Sequence, residues 1–118
     1  MSVVADKSLA FAVRIVSLAK YLRDKKEYEL ANQIIRSGTS IGANISEAQY
    51  AQSSKDFLAK MYIASKEAGE TRYWLKLLHA SKLINEKMFK SLNQDINEIS
   101  KILVSIIKTK EENIKTKE

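Results

Sequence analysis

The sequence predicts an all-α protein, an antiparallel four-helix bundle forming a single domain over residues 1–118. Three observations carry this. Proline is absent and glycine occurs only three times, whereas strand-rich folds recruit both residues for their frequent turns. Apolar residues recur every three or four positions over long stretches, the period of one helix face. The polar breaks between those stretches are short, and short connections between long helices favour antiparallel neighbours.

Helix 1 is expected from about Asp6 to Lys25, with Asp6 as the N-cap because its carboxylate can accept first-turn amide protons. Helix 2 is expected over 28–51, with Leu30, Ile34, Ile41, Ile45 and Ala48 on one stripe. Gly38 and Gly42 lie inside it at the small-xxx-small spacing that permits close helix approach. The small neighbours Ser37, Ser40, Ala43 and Ser46 favour a tight crossing over a local kink. Helix 3 is expected over 54–83, opened by Ser53 and Asp56 in a capping-box pattern with Asp in place of Glu. Its core stripe is Phe57, Met61, Ala64, Ala68, Leu75 and Leu78. Helix 4 is expected over 86–110, capped by Asn85, with the stripe Met88, Leu92, Ile96, Ile99, Leu103 and Ile106. Residues 111–118 read as a frayed, charged tail.

Two helices carry more apolar surface than one core needs. On helix 1, Phe11, Ile15, Leu18 and Leu22 cluster on one side, with Leu9, Val13 and Val16 nearly opposite. The apolar arc spans roughly 220°, against the 100° or so of an ordinary surface helix. Helix 3 has a second stripe of Leu58, Tyr62, Gly69, Tyr73 and Ala80, extended by Ile63, Trp74 and Leu77. Leaving such surface in water costs about 25 cal/mol per Å², so burial against a second copy is the simplest resolution. The alternative is a monomer whose helices pack on two sides each. The candidate packing and assembly residues are Gly38, Gly42, Tyr62, Tyr73 and Trp74.

The net charge is +6, unevenly spread: the stretch 6–26 carries +4, 27–52 carries −2, 53–83 carries +3 and the remainder +1. Lys7, Arg14 and Lys25 share a face of helix 1, and Lys20, Arg23 and Lys26 surround its end. Such a stripe suits RNA or DNA phosphates without reading sequence; equally, it suits a solvated helix face. Arg36, the one cation of helix 2, is a candidate structural partner for Glu47 or for Glu67 or Glu70 of helix 3.

No constellation for catalysis emerges. His79 is the sole histidine, and a lone histidine beside a core stripe is more often packed than a ligand. Helical di-iron sites need paired Glu-x-x-His motifs, and none occurs. Glu67 and Glu70 are neighbours on one turn, better suited to an ion-pair network than to acid–base work. No metal, cofactor or small-molecule substrate is expected. Cysteine is absent, which fits a reducing compartment. Asp6, Lys7 and Arg14 interrupt the N-terminal apolar stretch, against a signal peptide, and no apolar run approaches the roughly 20 residues a membrane span needs. The expected location is cytoplasmic.

Three ordered blocks carry a family resemblance covering nearly the whole chain. Gln33 to Ala48 (QIIRSGTSIGANISEA) resembles the helix 2 signature of bacterial four-helix bundle proteins that include those encoded in intervening sequences of 23S ribosomal RNA genes. Ile63 to Leu75 (IASKEAGETRYWL) and Ile102 to Thr109 (ILVSIIKT) resemble that family's helix 3 signature and helix 4 ending. Ser46 stands where many members have alanine, and Gly69 where bulkier residues are common. The resemblance implies an up-down-up-down bundle and a ring-shaped pentamer. It extends to the accessory protein of diversity-generating retroelements, which implies a nucleic acid or a nucleic-acid-handling protein as partner. Two functional expectations stand side by side: a nucleic-acid-associated oligomer, and a protein-binding scaffold with no nucleic-acid role.

Overall fold

The computed structural model describes residues 2–117. They form four helices: α1 (Val3–Asp24), α2 (Tyr28–Ala48), α3 (Ser54–Ala80) and α4 (Glu86–Lys117), and among the described residues there is no strand. The body measures 53 × 22 × 22 Å. Its length matches the 32-residue α4, about 48 Å at 1.5 Å per residue, and its breadth matches two helix diameters.

The helices pack in a ring, α1 on α2, α2 on α3, α3 on α4 and α4 back on α1, so that α1 and α3 stand diagonally apart, as do α2 and α4. Rising residue numbers in one helix meet falling numbers in the next: Lys7 and Arg14 meet Glu98 and Asp95, and Arg36 and Glu47 meet Glu70 and Lys60.

Each helix turns a stripe inward. Phe11, Ile15, Leu18, Ala19 and Leu22 of α1 meet Ala31, Ile34, Ile41 and Ile45 of α2, and Met61, Ala64, Ala68, Leu75 and Leu78 of α3 meet Leu92, Ile96, Ile99 and Leu103 of α4. Leu58 takes the buried position expected of Phe57, which is only half-buried, and Ile107 replaces Ile106. Leu58 therefore leaves the second α3 stripe, whose other members Tyr62, Gly69, Tyr73 and Ala80 are exposed.

The α1–α2 crossing is tight at both glycines. A Cβ on Gly38 would lie 2.8 Å from Ile15 Cγ2, and one on Gly42 would lie 3.2 Å from Ser8 Oγ. The backbone stays helical through both, so the crossing, not a kink, accounts for them.

Helix ends depart from the expected ones for local reasons. α1 begins three residues early because Ser2, not Asp6, caps it, its Oγ accepting from the Ala5 amide at 3.1 Å; Asp6 sits in the first turn, where its charge faces the positive dipole end. α2 stops at Ala48, since the amides of Gln49, Tyr50 and Ala51 bond back only three residues and Ser53 must be extended to cap α3. The Ser53 Oγ accepts from Asp56 N–H at 3.0 Å, and the Asp56 carboxylate accepts from Gln52 N–H at 3.2 Å. Asn85 caps α4 through Met88 N–H at 2.8 Å.

α1 and α3 end in the same way. Glu27 N–H bonds Leu22 O and Lys26 N–H bonds Arg23 O; Leu83 N–H bonds Leu78 O and Lys82 N–H bonds His79 O, all at 2.9–3.0 Å. These are Schellman closures, and they halt α3 at Ala80 instead of Leu83. Lys26 and Lys82 hold their left-handed positions, each with φ of 65°.

The largest departure is at the end of α4. Residues 111–117, expected as a frayed tail, continue the helix. Lys110 stands 5.3 Å over the Phe57 ring, Tyr62 donates to Glu111, and Ile114 packs against the core. The first three turns of α3 thus meet a segment whose own composition looked solvated; position 118 lies outside the described residues.

Candidate functional site

Between the outer sides of α1 and α2 runs a groove of about 440 Å³, lined by Leu9, Ala12, Thr39, Gly42, Ala43 and Tyr50 among others. It exists because Gly42 and Ser8 let the helices approach so closely that their outer rows of small residues leave a trough. In it Leu9 is 65% exposed and Tyr50 86%, and Val13, one turn after Leu9 on α1, is 61% exposed. Tyr50 carried no periodic signal, since it lies in the turn after α2. Gly38 is spent inside the chain, while Gly42 serves both the crossing and the groove floor.

The second apolar face is on α3, diagonally across. Tyr62, Ile63 and Tyr73 are exposed. Trp74, expected with them, is half-buried: its ring meets Tyr73 edge-on at 5.3 Å and its Nε1–H donates to Glu70 at 2.9 Å. Gly69 sits among them with nothing within 4 Å of where a Cβ would be. Its smallness has no cause within the chain.

Polar seams close the sides. Arg36 pairs with Glu70 and, at 3.5 Å, with Glu67. It does not pair with Glu47, which takes Lys60 of α3 instead. Ser40 donates to Glu67 Oε1 at 3.5 Å, while the buried Glu67 Oε2 has no partner. On the α1–α4 seam Lys7 pairs with Glu98, and Arg14 pairs with Asp95 and donates to Ser91 Oγ at 2.8 Å. The hydrogen bond to Glu98, reinforced by its charge, holds the Lys7 ammonium above its usual pKa.

These pairs divide the expected basic stripe. Lys7 and Arg14 are neutralised by α4, whose acids the sequence could not assign to them. Among the described residues, Lys20, Arg23, Lys25 and Lys26 have no carboxylate partner. Arg23 bonds Asn32 Oδ1 at 3.3 Å, and Lys25 lies 4.6 Å over the Tyr21 ring. One further cation went unrecognised: Arg72 donates to Asn97 Oδ1 at 3.0 Å and Ser100 Oγ at 2.7 Å, both neutral acceptors on α4. Two amide or hydroxyl residues three apart on α4 were its only trace in the sequence.

His79 stacks on Phe89, ring centroids 4.4 Å apart and nearly parallel. Among the described residues no three His, Cys, Asp or Glu side chains form a metal-holding group, and no helix is long and apolar enough to cross a membrane.

The 23S rRNA-intervening sequence protein family matches over residues 2–105. Among solved structures, the chain is similar to a protein of unknown function from the S23 ribosomal protein family of Bacteroides thetaiotaomicron VPI-5482. The two are 57% identical, with 90% of this chain and 99% of that one covered and a TM-score of 0.88. No curated protein matches.

Proposed function

The chain belongs to the 23S rRNA-intervening sequence protein family, and from that premise we propose that it is a non-enzymatic, self-associating four-helix bundle that binds RNA or DNA through cationic surfaces. Its topology is antiparallel up-down-up-down, a reading supported by the opposing residue order along each seam, as in Tyr62–Glu111, Arg72–Asn97 and His79–Phe89 between α3 and α4. It is a cytoplasmic protein that uses no cofactor, metal or small-molecule substrate.

One observation carries the assembly: two apolar faces on diagonal helices, Leu9, Val13 and Tyr50 on one side and Tyr62, Ile63 and Tyr73 on the other. Unlike faces on opposite sides meet head to tail, and a head-to-tail contact that closes makes a ring. The proposed copy number is five, the number the family resemblance implies. The exposed α3 face of one copy enters the α1–α2 groove of the next, where small residues leave room for its tyrosines. Each copy brings a net +6, so a ring concentrates positive potential that one bundle alone holds weakly.

Sedimentation velocity at micromolar concentration tests the assembly. Wild type should sediment as a single oligomer, and L9E/V13E as a helical monomer. A wild-type monomer at millimolar concentration sinks the proposal. Titration with generic RNA and DNA over a salt series tests the second half, through a falling affinity as salt rises.

A second reading is favoured by the groove itself, whose apolar lining also suits a different protein. A nucleic-acid-handling protein retained by wild type after nuclease treatment, and released by L9E/V13E, would support a scaffold role.

A further inference from the structure

We infer that the α3–α4 seam, centred on Arg72, is where the phosphate backbone of a single-stranded nucleic acid lies; this rests on the nucleic-acid reading above and gives it an address. The inference begins from how charge is sorted among the seams. The α1–α4 seam joins Lys7 and Arg14 to carboxylates, and the α2–α3 seam joins Arg36 and Lys60 to carboxylates. The acids that α3 and α4 contribute at mid-bundle, Glu67, Glu70, Asp95 and Glu98, are all turned to those two seams. At the α3–α4 seam the hydrogen-bond partners of Arg72 among the described residues are Asn97 and Ser100, so its charge is held in place without being neutralised.

That geometry suits a phosphate. A guanidinium offers five donors in a rigid fork. Asn97 and Ser100 engage Nε and Nη2, leaving the remaining N–H groups fixed in direction. Lys76 follows one turn after Arg72, and Lys101 one turn after Asn97, positions that share a helix face; Lys108 lies two turns further on. All three lysines are exposed and make no ion pair among the described residues. The pairing of Arg72 with Asn97 and of His79 with Phe89 sets Lys76 opposite Asn93, and from there to Lys108 is about 22 Å along the axis. Glu112, one turn beyond Lys108, ends the strip. Acidic proteins are the lesser fit: protein partners anchor through buried aromatic or aliphatic side chains, whereas between the strip's cations only Val104 is a large exposed aliphatic residue, and Tyr62 and Tyr73, which border the strip, belong to the α3 face assigned above to self-association.

The test compares a single-stranded RNA of mixed sequence, about 20 nucleotides long, against wild type, R72Q/K76Q/K101Q/K108Q, and K20Q/K25Q/K26Q at the end of α1. Each phosphate contact contributes about 0.7 to the slope of log affinity against log salt for single strands. The quadruple variant should therefore lose about 3 from that slope. Its affinity deficit should shrink about 50-fold between 50 and 200 mM salt. The α1-end triple should keep the wild-type slope. K76Q/K101Q/K108Q, which leaves Arg72 and its partners intact, should melt with wild type and lose about 2. R72K should keep the slope and bind more weakly, since it keeps the charge and loses the fixed fork. A slope loss in the α1-end triple that equals or exceeds the quadruple's overturns the seam assignment and leaves the nucleic-acid reading standing. No binding by wild type at 50 mM salt overturns both. Polyglutamate binding as tightly as RNA overturns the assignment to phosphate.

Discussion

Gly38 lies directly over Ile15: a methyl group added to the glycine would stand 2.8 Å from Cγ2 and 2.9 Å from Cγ1 of the isoleucine. Both residues are fully buried, and a β-branched side chain in a helix has one strongly preferred rotamer, so Ile15 has nowhere to turn. The contact sets how closely α1 and α2 approach.

Gly38→Ala should therefore destabilise by about 1–3 kcal/mol, overpacking outweighing the helix propensity gained. Ile15→Ala in the same chain should recover part of that loss, giving a non-additive pair. Gly69→Ala is the internal control. It gains the same propensity in open space and should stabilise a dissociated protein by about 1 kcal/mol. Denaturant midpoints decide it; a Gly38→Ala protein as stable as wild type removes the tight-crossing account. Gly42→Leu should likewise disrupt packing or assembly, read as a lowered Tm or a changed oligomer size.

Lys26 and Lys82 occupy left-handed closures that glycine fills without steric cost. Lys26→Gly and Lys82→Gly should each stabilise by about 0.5–1 kcal/mol relative to the alanine variant at the same site, which removes the same charge but keeps the Cβ. Equal stability of the glycine and alanine variants would mean the backbone there carries no strain.

Arg36 faces two carboxylates, of which Glu67 is the more buried, at 16% side-chain exposure. Arg36→Met should cost about 1–2 kcal/mol by leaving them without a cation, held only by Trp74 and Ser40. The pair coupling in a cycle with Glu70→Gln should stay below about 1 kcal/mol, because the arginine is itself half exposed. A coupling of zero would show that the ion pair adds nothing beyond packing.

Alkaline pH should weaken the fold in a defined way. Hydrogen bonds to Glu98 and Glu111 raise the Lys7 and Tyr62 pKa values above their ordinary 10.5 and 10.0. The folded chain thus holds both protons more tightly than the unfolded one. Their stabilisation is complete below pH 10 and is lost as pH climbs through the raised values. Between pH 9 and pH 11 the Tm of wild type should fall further than that of K7M/Y62F, and 1 M salt should narrow the gap. Parallel losses in both proteins would count against these two contacts.

Periodicity, capping and the absence of proline are properties of a few adjacent residues, and they were enough to place four helices, the Ser53 and Asn85 caps and most of the core. They also placed Leu9, Val13, Tyr62 and Tyr73 outside that core, because angular position on a helix follows from sequence spacing alone. The partners of the charges did not follow. Lys7 and Glu98, Arg14 and Asp95, and Arg72 and Asn97 are distant in the chain, and they meet only where two helices fix both their rotation and their axial register. The same holds for residues 111–117, whose polar composition resembles a solvated tail until α3 is laid against it. Local chemistry decided what each helix is; the packing of one helix against another decided which charges are paired and which stay exposed.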